Sequence, residues 1–234
     1  VASKSAAQDS LTGQRLEVIY DTGTSQAYIN VNNDNLITSL DYTIGINPGA
    51  APKTTVATTD FNFTITGTDQ ADTIVSGGGD DTISAGSGAD TINAGAGTNT
   101  VNDSAGADQV TGGNSGVDTI NAGDNQDTIT GGAGDDIITG GSGNDTFNIN
   151  SGTDTVNDLT NGDVFVVSAG ATLNAINVSN FVADSSSKNE HATGTAKLTA
   201  KAGTTTIIKM NNAVAGKYNL ITNTGTDTLW GGSD

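Results

Sequence analysis

Ten aspartates recur in a fixed register between residues 67 and 166: Asp72, Asp81, Asp90, Asp108, Asp118, Asp127, Asp136, Asp145, Asp154 and Asp163, with Asn99 filling the one gap. The step is nine residues, except from Asp108 to Asp118, where it is ten. Glycines precede these acids, most completely in GGAGDDIIT at 131–139 and GGSGNDTFN at 140–148, then in SGGGDDTIS at 76–84 and AGSGADTIN at 85–93. Glycine takes positive φ without a Cβ clash, so such a turn can curl and aim carbonyl oxygens at one point. Gly77, Gly79, Gly86, Gly88, Gly131, Gly132, Gly134, Gly140, Gly141 and Gly143 are therefore candidate carbonyl donors beside the ten carboxylates. A shell of carbonyl and carboxylate oxygen suits a hard cation, and a flexible cage of six or more oxygens favours Ca²⁺ over Mg²⁺.

Two residues after each acid, and after Asn99, stands a Val, Ile or Phe, from Ile74, Ile83 and Ile92 through Val101, Val110, Ile120, Ile129, Ile138 and Phe147 to Val156 and Phe165. A fixed period held through eleven copies signals stacked units, none of which could bury its apolar face alone. A Gly/Asp/Thr-rich disordered linker would not keep an apolar residue in register for so long. These side chains should face inward and form a thin core.

The blocks resemble the RTX nonapeptide, G-G-x-G-x-D-x-U-x with U a large apolar residue, and the resemblance covers 100 of the 234 residues. It implies an all-β fold, a calcium-filled parallel β-roll (solenoid) flanked by β-rich segments. Each nonapeptide would be a glycine-rich turn plus a short strand, with two nonapeptides per coil. It also implies an ion between the turns of repeats n and n+2. Eleven repeats then offer nine sites, of which two use Asn99 and seven have a carboxylate from both sides. The implied cofactor is Ca²⁺, about seven to nine ions.

Charge supports the same view. The array holds 16 Asp, no Glu and no Lys or Arg, whereas residues 1–66 carry −3 and residues 167–234 carry +1 of the total of −18. Carboxylates this dense oppose a compact state unless cations sit among them. Seven to nine Ca²⁺ would nearly balance them.

The remaining segments must position and close the array. Residues 1–66 read as a β-rich N-terminal segment with strands at 16–20, 27–31 and 40–46, then a linker flanked by Pro48 and Pro52. Phe61, Phe63 and Ile65 alternate as a strand entering the array, and the two Phe are candidates for covering its open end. Residues 30–41 resemble an EF-hand-type calcium loop in spacing but place Asn at position 1, Asn35 at position 6 and Asp41 at position 12. An Asn/Asp-rich β-turn is the favoured reading there. Residues 167–234 read as a β-rich C-terminal cap, with a polar loop at Asp184–His191 and alternation through Lys197–Met210. A repeat restarts near 226, because Asp227 and Leu229 fit the acid and apolar positions, and the chain reads as part of a longer repetitive protein.

Several function classes find no support. There is no Cys, so neither disulfides nor thiol chemistry enter. Basic patches for nucleic acid are missing, as is any apolar run of membrane-spanning length. The single histidine, His191, reads as a solvated loop residue with no G-x-S-x-G nearby, and no phosphate-cradling G-x-x-x-x-G-K-[ST] occurs. Paired acids such as Asp80-Asp81 and Asp135-Asp136 read as one metal ligand beside one exposed turn residue. The chain is therefore not expected to be an enzyme.

The Thr-, Ala-, Asn- and Gly-rich flanks look like those of RTX-containing S-layer and adhesin chains. That resemblance implies a calcium-binding structural module of a secreted bacterial cell-surface protein, with homo-oligomeric or lattice self-association on Ca²⁺; a monomeric spacer is the competing reading. The alternative parent is a type I secreted enzyme or toxin of which this is the non-catalytic calcium module.

Overall fold

Each repeat makes a strand for a local reason. After the acid, β-branched Thr and Ile or Val alternate outward and inward, which suits a half-buried pleated surface, and the following glycines end the strand. The computed structural model describes residues 16–21, 26–31, 42–45, 54–56, 62–183, 188–189, 195–203, 205–210, 217–222 and 224–230. Among these there is no helix, and the strands of the array are three to six residues long.

Successive strands alternate between two facing sheets. One sheet stacks Thr73–Val75, Thr91–Asn93, Gln109–Gly113, Thr128–Gly132, Thr146–Ile149 and Val164–Val167; the other stacks Phe63–Thr68, Thr82–Gly86, Thr100–Asn102, Thr119–Asp124, Ile137–Ser142 and Thr153–Val156. All these neighbours pair in parallel, so two nonapeptides complete one coil and the fold is a parallel β-roll. Equivalent residues lie in register: Ile74 on Ile92, Ile92 on Val110, Ile129 on Phe147 and Phe147 on Phe165, and across the roll Ile65 on Ile83 and Ile120 on Ile138. The apolar residue two places after each acid, and after Asn99, is at most 1% exposed in all eleven repeats, so the expected thin core is present.

The ten-residue step leaves the strands undisturbed. Thr111 pairs with Thr130 and Gly113 with Gly132, while Thr119 pairs with both Thr100 and Ile137. The extra residue falls in the turn between Asn114 and Gly116, where the Ser115 hydroxyl accepts a hydrogen bond from the Gly97 N–H at 3.3 Å. A turn absorbs an insertion because nothing there depends on the period-two alternation that fixes strand register.

Both sheets run on beyond residues 67–166. Toward the C-terminus, Thr172–Val178, Thr195–Ala200 and Lys217–Ile221 stack in parallel on Thr153–Val156, placing Val156, Ala175, Leu198 and Leu220 in one column. Phe165 packs against Phe181 and Tyr218, with ring centroids 5.7 and 6.3 Å apart. Of the polar loop expected at Asp184–His191, Lys188–Asn189 is instead a strand beside Val166 and Val167; His191 lies outside the described residues. Near the C-terminus Thr228–Trp230 pairs in parallel with Ile207–Lys209, which sets Leu229 on Ile208.

Toward the N-terminus, Leu16–Asp21 and Gln26–Val31 form an antiparallel pair, and Tyr42–Gly45 stacks on Phe63–Thr68, close to the expected strands. Thr54–Val56, just past the linker expected between Pro48 and Pro52, is a strand that joins Gln26–Val31 to Thr73–Val75. Phe63 is 2% exposed but does not close an end, because Tyr42 stacks beyond it. Phe61 and residues 32–41, which contain most of the EF-hand-like loop, lie outside the described residues.

Candidate metal centre

Winding two nonapeptides per coil brings the acids into two columns along the edges of the roll. Asp72, Asp90, Asp108, Asp127, Asp145 and Asp163 lie along one edge; Asp81, Asn99, Asp118, Asp136 and Asp154 lie along the other. Consecutive members are joined in the same way, the backbone N–H of one donating to Oδ1 of the next at 2.6–3.1 Å. All nine pairings of repeats n and n+2 within the array are made. Each member of both columns is at most 4% exposed.

The second carboxylate oxygens are the informative ones. Oδ2 of Asp81, Asp90, Asp108, Asp118, Asp127, Asp136 and Asp154, and Oδ1 of Asp72, are buried with no hydrogen-bond partner. A buried carboxylate oxygen left unpaired is costly, and the array has no Lys or Arg to offset its charge. Lost hydration pushes the Asp81, Asp90, Asp118 and Asp145 carboxyls up to about 6, and those of Asp127 and Asp154 up to about 7. Neighbouring carboxylates add to the rise. Asp108, Asp136 and Asp163 move in the same direction, burial again being the main cause. Orphaned, charge-bearing oxygen repeated along both edges is the donor chemistry that fits Ca²⁺.

The expected glycines divide into two groups. Gly77, Gly79, Gly86, Gly88, Gly132, Gly134, Gly141 and Gly143 have positive φ, between 96° and 157°. Gly131 and Gly140 do not; a Cβ on either would meet Oδ2 of its own turn's acid, Asp136 or Asp145, at 2.5 Å. At 131 and 140 glycine is thus required by the approach of the carboxylate, which corrects the expectation that it serves a left-handed turn there. Some carbonyls, such as Gly77 O, which accepts from Ala96 N–H at 2.7 Å, are engaged along the stack.

The columns end in recognisable ways. At one end Asp72 Oδ2 accepts from the Thr68 amide and hydroxyl, and at the other Asp163 Oδ2 accepts from those of Thr160. On the second edge Phe63 precedes Asp81, to which its N–H donates at 2.7 Å, and Leu173 stacks on Asp154. Asp135 is exposed and takes one hydrogen bond, from Thr153 N–H at 2.7 Å. Asp227 repeats the column geometry farther on, its Oδ1 accepting from Thr206 N–H at 3.2 Å.

Two acids absent from the sequence-expected set belong to the turns. Asp103 and Asp158 occupy the first position of their repeats, where the other nine copies carry Gly, Ala, Ser or Ile. Asp158 accepts from the N–H groups of Gly140 and Gly141 at 3.1 and 2.7 Å. Asp103 is buried among the acids, and burial followed by the charge of Asp108 pushes its carboxyl up to about 8. The sequence signal for both was an acid in a glycine's place, as in DSAGADQVT at 103–111.

No curated protein and no solved structure matches the chain. The family model of the RTX calcium-binding nonapeptide repeat matches four times, over residues 66–101, 85–114, 93–124 and 112–147. Its overlapping matches cover the turns that carry Asp72 through Asp145 in the two acid columns. Residues 66–147 are therefore RTX calcium-binding nonapeptide repeats, wound as a parallel β-roll.

Proposed function

We propose that this chain is the calcium-folded structural module of a secreted bacterial surface protein, of S-layer or adhesin kind, with no catalytic role. The observation that carries the reading is the repeated buried carboxylate oxygen without a partner along both edges of the roll. Asp72, Asp81, Asp90, Asp108, Asp118, Asp127, Asp136, Asp145, Asp154 and Asp163 would hold the ions with turn carbonyls, at seven to nine sites. Bound Ca²⁺ supplies the positive charge that the array lacks.

Without that charge, repulsion and conformational entropy outweigh the thin core, and the array is unfolded. Millimolar Ca²⁺ outside the cell then folds it by mass action through several linked sites. Such a chain passes through a type I secretion channel unfolded and folds on arrival. At the surface, Ca²⁺ shared between neighbouring rolls would support self-association.

Circular dichroism in chelator and then in Ca²⁺ tests the folding switch. A β-sheet spectrum that appears only with Ca²⁺ supports it, and a spectrum indifferent to Ca²⁺ overturns it. Light scattering through the same titration tests assembly, for which large species must grow beyond the folding transition.

A further inference from the structure

Asp103 departs from the repeat at an inward-facing position. Ala85 one coil before and Ala122 one coil after fill its place, as the flanking bridges Ser87 to Ala105 and Ala105 to Asp124 and the Asp103 N–H bond to Asn121 O require. Both alanines are fully buried and Asp103 is 5% exposed, so the carboxylate occupies the place of a core methyl group. Its Oδ1 accepts from Ser104 N–H at 2.9 Å, and its Oδ2 has no hydrogen-bond partner. Asp90 and Asp108, consecutive members of the adjoining column, each present a buried Oδ2 in the same condition.

One carboxylate oxygen from each of Asp90, Asp103 and Asp108 lies within 4.8 Å of the other two. Oxygens sharing one Ca²⁺ at about 2.3–2.6 Å are separated by at most roughly 5 Å, so the three can reach one ion as they stand. We propose that Asp103 converts the Asp90–Asp108 site into a three-carboxylate cation site that binds more tightly than the two-carboxylate sites and is loaded first. The inference rests on the calcium reading of the acid columns. Ligand charge is a main control on Ca²⁺ affinity, and one added carboxylate is expected to tighten binding by about tenfold or more. The competing occupant is a proton shared between Asp103 and Asp108.

The test is calorimetric titration of the full chain with CaCl₂ at pH 7.5, repeated on Asp103→Ala and Asp136→Ala. Alanine at 103 matches the neighbouring coils, so that variant should still fold in Ca²⁺, as circular dichroism would show. The wild type should display one step resolved from the rest by about tenfold. Asp103→Ala should lose that step and keep the others, whereas Asp136→Ala, on the opposite edge, should keep the tight step and lose weaker ones. A tight step surviving in Asp103→Ala overturns the role of Asp103 alone, as does a wild type with uniform steps, the result a shared proton would give. A wild type that takes up no Ca²⁺ overturns the calcium reading with it.

Discussion

The backbone N–H of Asp118 donates to Oδ1 of Asp136 at 2.8 Å, and the N–H of Asp136 donates in turn to Oδ1 of Asp154 at 3.1 Å. Each interior acid therefore serves the coil before it and the coil after it. The two sheets carry the core, while the acid columns tie the turns along both edges, and each supports the geometry of the other.

Asp136 and Asp135 provide a direct comparison. Asp136→Ala removes a hydrogen bond to a charged acceptor, roughly 1.5–3 kcal/mol, and a ligand from two sites, so the Ca²⁺ midpoint of folding should rise measurably, the loss being spread over the linked ions. Asp135→Ala removes one exposed contact and should stay within about 0.5 kcal/mol, leaving the midpoint nearly unchanged. Calcium titrations followed by circular dichroism measure both. Equal shifts would show that the register of the ligands is wrong.

The pH dependence of the calcium-free chain should run opposite to ordinary acid denaturation. Burial holds the Asp81 and Asp118 carboxyls up at about 6 and those of Asp127 and Asp154 up at about 7, above the ordinary value of 3.8. The folded form thus holds more protons than the unfolded one between these values. Stability is then fully present below about pH 4 and is lost as pH rises through 6 to 7. In chelator, β-structure should be greatest near pH 4 and fall toward pH 8, and added Ca²⁺ should restore it at pH 8. Thermal melts across that range in EDTA check the sign, and greater stability at pH 8 than at pH 4 would contradict it.

The adjacent isoleucines of one repeat separate core from surface. Ile138 is fully buried and Ile137 is 43% exposed. Ile138→Ala should cost about 2–5 kcal/mol, and because folding and ion uptake are linked, the Ca²⁺ midpoint should rise with it. Ile137→Thr should change stability by less than about 0.5 kcal/mol, since Thr119 and Thr155 stand at the same place in the coils on either side. Chemical denaturation in saturating Ca²⁺ reads both.

The array was legible because one nine-residue period fixes three things together: which residue turns inward, which begins the turn, and which carboxylate meets its counterpart one coil away. Asp103 escaped that reading because it stands at the position of a glycine or alanine, and only stacking reveals that the position faces inward toward Asp108. The flanks were less legible for a related reason. Leu173 continues the column of Asp154 and Ala175 that of Val156, yet the interval between coils lengthens and the glycine turns disappear, so no period marks the register. Thr54–Val56 is similarly too short to announce itself without the strands on either side of it.

Asn99 gives the last prediction. Its Oδ1 accepts from Asp81 N–H at 2.9 Å and its own N–H donates to Asp118 Oδ1 at 2.7 Å, so it holds its place in the column as the acids do. It is 1% exposed, and its Nδ2 is buried without a hydrogen-bond partner, as is Oδ2 in its acidic neighbours Asp81 and Asp118. An amide N–H group carries partial positive charge and repels a cation where a carboxylate oxygen would attract one. Asn99→Asp is nearly isosteric and exchanges this donor for an acceptor in two sites at once. Equilibrium dialysis should therefore show up to about two more Ca²⁺ per chain, with a lower and steeper folding midpoint. In chelator the variant should be less stable than the parent, because it adds a buried charge with no counter-ion. If uptake stays unchanged while the calcium-free form weakens, the second edge holds its turns by hydrogen bonding alone and the ions reside elsewhere.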